Sequence, residues 1–151
     1  MIVDAEGGFN GYAVLDKPVG ITSHSFLSSM TRRLGPRVKS GHAGTLDSFA
    51  SGVLVCLFGR YTRLSDYFMC TAKGYDAELL FGEETDTLDP EGTVVATSQP
   101  PTEAVLLDAL PAFRGDILQA PPAYSAVHIN GKRAYELALS GAAVAPRPRP
   151  V

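Results

Sequence analysis

Residues 41–58 read GHAGTLDSFASGVLVCLF. The second part, VLVCLF from Val53 to Phe58, is an unbroken apolar run bounded by Gly52 and Gly59, which predicts a strand covered on both faces. The stretch before it, Lys39 to Gly52, combines Gly41, Gly44 and Gly52 with the ionisable His42 and Asp47. Glycines at 41 and 44 permit positive dihedrals and close approach of another backbone, so this stretch reads as a loop. A buried strand entered from such a loop displays a flat ring and a carboxylate together.

Working outward, Gly11 to Pro18 (GYAVLDKP) reads as a second short buried strand closed by the turn Lys17-Pro18-Val19-Gly20. A helix follows, with Thr22 or Ser23 able to cap it, Phe26, Leu27, Met30 and Leu34 at helical spacing, and Gly35-Pro36 as the stop. Beyond the apolar run, Thr62 to Met69 has helical spacing, and Tyr75 to Phe81 and Thr93 to Thr97 read as strands joined by the acidic connection GEETDTLDPEG. Thr102 to Leu110 predicts a capped helix with Val105, Leu106, Ala109 and Leu110 inward, ended or kinked by Pro111. Asn130-Gly131 between Ser125–Ile129 and Lys132–Tyr135 is a strong hairpin signal, with a short helix expected over Tyr135 to Ser140. The tail APRPRPV has no periodicity and is expected to be extended or disordered. The pattern is a mixed one in which strands outnumber helices, which excludes a helical bundle and a plain sandwich.

At 151 residues the chain fits one compact unit, and 45% hydrophobic against 19% charged residues exclude intrinsic disorder. No apolar run approaches the ~18 residues of a membrane span, and the first eleven residues carry Asp4 and Glu6 but no basic residue, unlike an export signal. The expectation is a cytoplasmic protein without membrane contact. Cys56 and Cys70 form no C-x-x-C pair and sit among apolar residues, so buried free thiols are expected rather than a disulfide or metal clamp. The formal charge of −3 hides opposite blocks: +5 from Arg32 to Lys73, −9 from Asp76 to Asp116, and +3 from Ile117 to Val151. The first block is a candidate phosphate-facing surface, although such blocks are also common on merely solvated faces.

The residues alone leave the chemistry open. Asp47 has the chemistry of a nucleophile or general base, with His42 as acid partner or stacking surface; equally, His42 fits a loop histidine and Asp47 a helix cap or turn former. The acidic stretch Glu83 to Glu91 lacks the residue order of a calcium loop and reads as a solvated hairpin. A small hydrolase has no supporting serine, cysteine or second-carboxylate motif.

GHAGTLDSFASG resembles the active-site signature of the pseudouridine synthases of the B family, G-H-x-G-T-L-D-P-x-A-S/T-G. GYAVLDKPVGITSH, KGYDAELLFGEETDTLDPEG and PPAYSAVHINGKRAYELALSG resemble three further family motifs, so the likeness runs from residue 11 to about 145 in order and spacing. The resemblance implies an α+β fold, a mixed, mainly antiparallel sheet flanked by helices. It divides the chain into an N-terminal arm (1–10), the N-terminal portion of the catalytic domain (11–145) and a Pro/Arg-rich tail (146–151). The implied function is conversion of uridine to pseudouridine at position 55 in the T arm of tRNA, with no cofactor and no metal. Asp47 then aligns with the catalytic aspartate, His42 with the histidine that fills the space vacated in the T loop, and Tyr75 with the tyrosine that stacks on the flipped base. Lys17 would support the active-site loop, and Asp89 would do the same or contact RNA.

Ser48 and Phe49 depart from the family's proline and aliphatic residue, Arg63 replaces a common lysine, and His128 and Ala138-Leu139 remove two basic positions. The family domain continues into a K-G-T-Y-I-R-type motif, whose arginine pairs with the aspartate, and often into a small RNA-binding domain; neither is in these 151 residues. The expectation is a chain that is poorly stable, partner-dependent or inactive by itself. The alternative reading is therefore a catalytically weak or inactive RNA-binding remnant.

Overall fold

The computed structural model describes residues 2–3, 9–35, 38–122, 128–129, 131–133, 140 and 147–151. The chain forms two compact units, Met1–Asp76 and Ala77–Val151. The architecture is α+β, with helices and small antiparallel sheets.

In the first unit, strands β1 (Ile2–Val3), β2 (Phe9–Lys17), β3 (Ser40–Ala43) and β4 (Gly52–Phe58) form one sheet in the order β1-β2-β4-β3. The apolar run 53–58 is thus the centre of the sheet, antiparallel to β2 (Gly11↔Phe58 through Lys17↔Gly52) and to β3 (Ser40↔Phe58 through Ala43↔Val55). Helix α1 (Ser23–Leu34) buries Phe26 and Leu27 against Leu54, Cys56 and Phe58, with Ala13, Leu15, Met30, Leu34 and Val38 around them. Thr22 caps α1 by accepting the Ser25 N–H at 3.2 Å, and Gly35 ends it.

Several expectations for this unit are corrected. β4 is not covered on both faces along its length: Leu54 is 1% exposed but its neighbour Val53 is 69% exposed. Near Phe58 both faces are closed, because the 3₁₀ turn Gly59–Leu64 and helix α2 (Ser65–Met69) fold back there. They place Tyr61 and Phe68 against Tyr12, which lies across from the buried Leu57. Helical spacing predicts a single helix over Thr62 to Met69, where the chain forms this 3₁₀ turn followed by α2. The stretch 39–52 is likewise not all loop, since Ser40–Ala43 is a strand. Its small and polar residues carry no alternation, so only the ladder offered by β4 makes it one.

The cysteines are both free, but only Cys56 is buried; Cys70 follows α2 and is exposed. Burial raises the Cys56 thiol from 9.0 to about 11. Since the thiolate is the nucleophile, folded Cys56 at pH 8 holds ~100-fold less of it than an ordinary cysteine. Iodoacetamide is therefore expected to label Cys70 alone in the native protein and both thiols in denaturant, as peptide mass mapping will show. The raised value also means that the unfolded thiol ionises first, so Cys56 makes folding less favourable as pH rises from about 9 to 11.

In the second unit, β5 (Glu83–Thr85) pairs with β6 (Val94–Thr97), and helix α3 (Glu103–Ala109) runs into a 3₁₀ turn, Leu110–Phe113, that contains Pro111. The predicted strand Tyr75 to Phe81 is not one: the ladder to β6 starts at Glu83, and residues 72–81 carry no regular structure. The hairpin loop sets that register, with Asp86 N–H donating to Thr93 O (3.0 Å) and Thr93 N–H to Asp86 Oδ1 (2.8 Å). An alternating segment becomes a strand only beside a partner, and here Leu79 and Leu80 stay 68% and 80% exposed. The inward stripe expected on α3 is likewise exposed at Val105, Ala109 and Leu110, with Leu106 half-buried.

Strands β7 (Leu118–Gln119) and β10 (Arg149–Pro150) pair with each other, which makes the tail extended at Arg149 and Pro150. Strands β8 (His128–Ile129) and β9 (Lys132–Arg133) pair across Asn130-Gly131, as the hairpin signal requires. The helix expected over Tyr135 to Ser140 lies outside the described residues apart from Ser140. Among the described residues no helix is long and apolar enough to cross a membrane, and no cluster of His, Cys, Asp and Glu could hold a metal ion.

Candidate active site

The loop between β3 and β4 leaves the sheet at the end where β2 finishes, because Lys17 lies across from Gly52. Gly44, at φ 94°, turns the chain out of β3 in the left-handed region that glycine alone enters without strain. Asp47 then lies exposed in the middle of the loop; its carboxylate neither caps a helix nor accepts a hydrogen bond from the described residues. Its own carbonyl accepts the Ala50 N–H at 3.2 Å, a single turn.

Both residues beside Asp47 are tied down by the segment 17–23. Ser23 Oγ donates to Leu46 O at 2.8 Å and accepts the Leu46 N–H at 2.9 Å. Gly20 N–H donates to Ser48 O at 2.7 Å, a backbone contact that does not use the side chain at 48. Gly20 sits at φ 80°, which presents its N–H to the loop. Lys17, 0% exposed, holds this turn from below, its Nζ donating to Pro18 O at 3.0 Å and Ile21 O at 2.8 Å. The carboxylate at 47 thus faces solvent from a backbone fixed on both sides, the arrangement that lets a charged group meet a ligand at a set position.

His42 lies on β3 across from Cys56 and is half-buried. Its Nδ1 contacts Gly44 O at 2.5 Å. A carbonyl only accepts, so Nδ1 carries a hydrogen and donates it. Lys17 and the Asp47 loop thus share the Gly52 end of the sheet, whereas His42, across from Cys56, sits nearer the Phe58 end. Tyr75 is near the end of the same unit, outside any regular element, and is 75% exposed. Asp89 belongs to the second unit, in the loop between β5 and β6. Its Oδ1 accepts from Thr87 Oγ1 (2.7 Å) and Glu91 N–H (2.9 Å), and its carbonyl accepts from Thr85 Oγ1 (2.7 Å), so it organises that loop.

A model of the TruB family pseudouridylate synthase N-terminal domain matches residues 32–151. The chain belongs to this family. It is 49% identical over 134 residues to tRNA pseudouridine synthase B of Borreliella burgdorferi strain ZS7, covering 87% of this chain and 47% of the relative. Gluconacetobacter diazotrophicus has a protein of the same name at 46% over 142 residues, covering 93% and 46%. That of Treponema denticola is 48% identical over 125 residues, covering 83% and 35%. The chain spans about half or less of the length of these TruB relatives.

Ser23 is the residue whose role the sequence does not disclose. Its position marks it only as a helix cap, a duty the structure gives to Thr22. The one signal available is the pair of hydroxyls at 22 and 23: a helix start uses one, which leaves the other for a longer-range contact.

Proposed function

We propose that this chain carries the Asp47 portion of an isomerase that converts uridine to pseudouridine at position 55 in the T arm of tRNA. The observation that carries this reading is the exposed Asp47 carboxylate on a loop pinned at Leu46 and Ser48. The reaction breaks the N1–C1′ bond, turns the uracil, and joins C5 to C1′; C5 loses a proton and N1 gains one, so no redox or group-transfer partner enters. An anion beside the sugar or base is what such a step needs, whether it attacks the ribose, takes a ribose proton or adds to the ring. The target base has to leave its stack. In this reading His42 fills the space it vacates, the exposed ring of Tyr75 stacks on it, Lys17 supports the loop and Asp89 shapes the hairpin loop of the second unit. The setting is the cytoplasm, the partner tRNA, and neither metal nor membrane takes part.

Charge supports an RNA partner. Arg32 and Arg33 end α1, Lys39 precedes β3 and Arg60 follows β4, so all four exposed cations gather at the sheet end opposite the Asp47 loop. The seven residues of β4 put about 20 Å between the two ends. Changing Arg32, Arg33 and Arg60 to Gln is expected to weaken tRNA binding and to lower the slope of log K against log salt by about 0.7–0.9 for each phosphate that is no longer neutralised. Filter binding from low to moderate salt measures this, and an unchanged slope removes these residues from the interface.

A second reading, RNA binding without turnover, is favoured by the same exposed cations, which can hold phosphates without any reacting carboxylate. Tritium release from C5-labelled uridine in T-arm RNA decides between the two. Release supports the isomerase, tight binding with no release supports the remnant, and the absence of both refutes the proposal.

A further inference from the structure

We infer that Ser23 is a positioning residue that sets the direction in which Asp47 leaves the backbone. The inference rests on the reading of Asp47 given above. Ser23 is 2% exposed, and a buried hydroxyl is costly unless its hydrogen and a lone pair are both used. Here both are used on one residue, the N–H and the C=O of Leu46, 23 positions along the chain and next to Asp47. The hydroxyl thus does for Leu46 what a neighbouring strand would do: it fixes the peptides on either side of its Cα, and with them the start of the Asp47 backbone. The opposite side is held by Gly20 N–H on Ser48 O, so the three-residue arc has no slack at either end.

A local explanation for this serine fails. Thr22 already accepts the Ser25 N–H and caps the helix, so the Ser23 hydroxyl is not needed there. The hydroxyl is therefore spent on the loop. Displacing a reacting group by about 1 Å costs on the order of 100-fold in rate, whereas tRNA binding spread over many contacts does not feel a shift of one carboxylate.

The test compares Ser23→Ala with Thr22→Ala, which removes the cap and destabilises the same helix turn without touching Leu46. Turnover of T-arm RNA is measured by tritium release, normalised to the folded fraction, together with RNA affinity and amide exchange at Leu46. In Ser23→Ala, kcat is expected to fall about 10- to 100-fold with KM and RNA affinity unchanged and faster exchange at Leu46; Ser23→Thr, which keeps a hydroxyl, restores part of the rate. In Thr22→Ala, kcat per folded molecule stays at the wild-type value. Equal kcat in the two alanine variants, or unchanged Leu46 exchange in Ser23→Ala, overturns the inference. A wild-type chain without release, or Asp47→Asn with full release, instead overturns the functional reading, and the Leu46 exchange then still decides whether Ser23 holds the loop.

Discussion

Asp47→Asn is expected to lower tritium release from C5-labelled T-arm uridine by on the order of 10⁴-fold, with RNA affinity within about twofold of wild type. The reason for so large an effect with so small a change is the separation of duties in the loop. The side chain at 47 makes no hydrogen bond to the described residues, while the backbone on either side is held by Ser23 and Gly20. Asparagine has nearly the same shape, so the loop keeps its path and the melting temperature should not change. What is lost is the anion, and neither nucleophilic attack nor proton abstraction proceeds usefully from a neutral amide. Single-turnover release and equilibrium binding, measured on the same preparations, check the two halves of the statement. Release by the asparagine variant within tenfold of wild type would remove Asp47 from the chemistry.

Lys17→Ala acts on the other side of the division, through the fold. Lys17 is fully buried, and its Nζ is shared by Pro18 O and Ile21 O, the carbonyls that define the turn carrying Gly20 to Ser48. Alanine leaves both carbonyls without this donor and leaves a cavity where the four-carbon stem lay. The expected cost is about 2–4 kcal/mol, enough to lower the melting temperature by about 10 °C or more in a unit of this size. Any loss of turnover should accompany this loss of stability, because the lysine reaches the loop only through the turn. Calorimetry beside activity per folded molecule tests this; an intact melting transition with lost turnover would give Lys17 a direct part in the reaction.

The central strand, α1 with its stop and the hairpin at Asn130-Gly131 are all legible in the sequence, because each is written in local signals: an apolar run, a helical stripe, a turn dipeptide. The failures share one cause. Ser40–Ala43 is a strand with no strand-like pattern, and Tyr75–Phe81 has the pattern but is no strand. In both cases the ladder partner decides, and a partner is a property of the assembled chain. Burial behaves in the same way on α3, where periodicity defines a stripe but only a covering element can bury it.

Which chemistry the chain can display is already set by its order of residues, since the identities of Asp47, His42 and Tyr75 and their motif spacing are properties of the chain. How Asp47 is held is settled by folding. The Ser23 hydroxyl lies 23 residues from Leu46, and the Gly20 N–H lies 28 from Ser48 O, so both contacts exist only once β2 and β4 have paired and brought the two loops to the same end of the sheet. A hydrogen bond acts over about 3 Å, and no pattern of neighbours along the chain records which distant backbone will come within that reach.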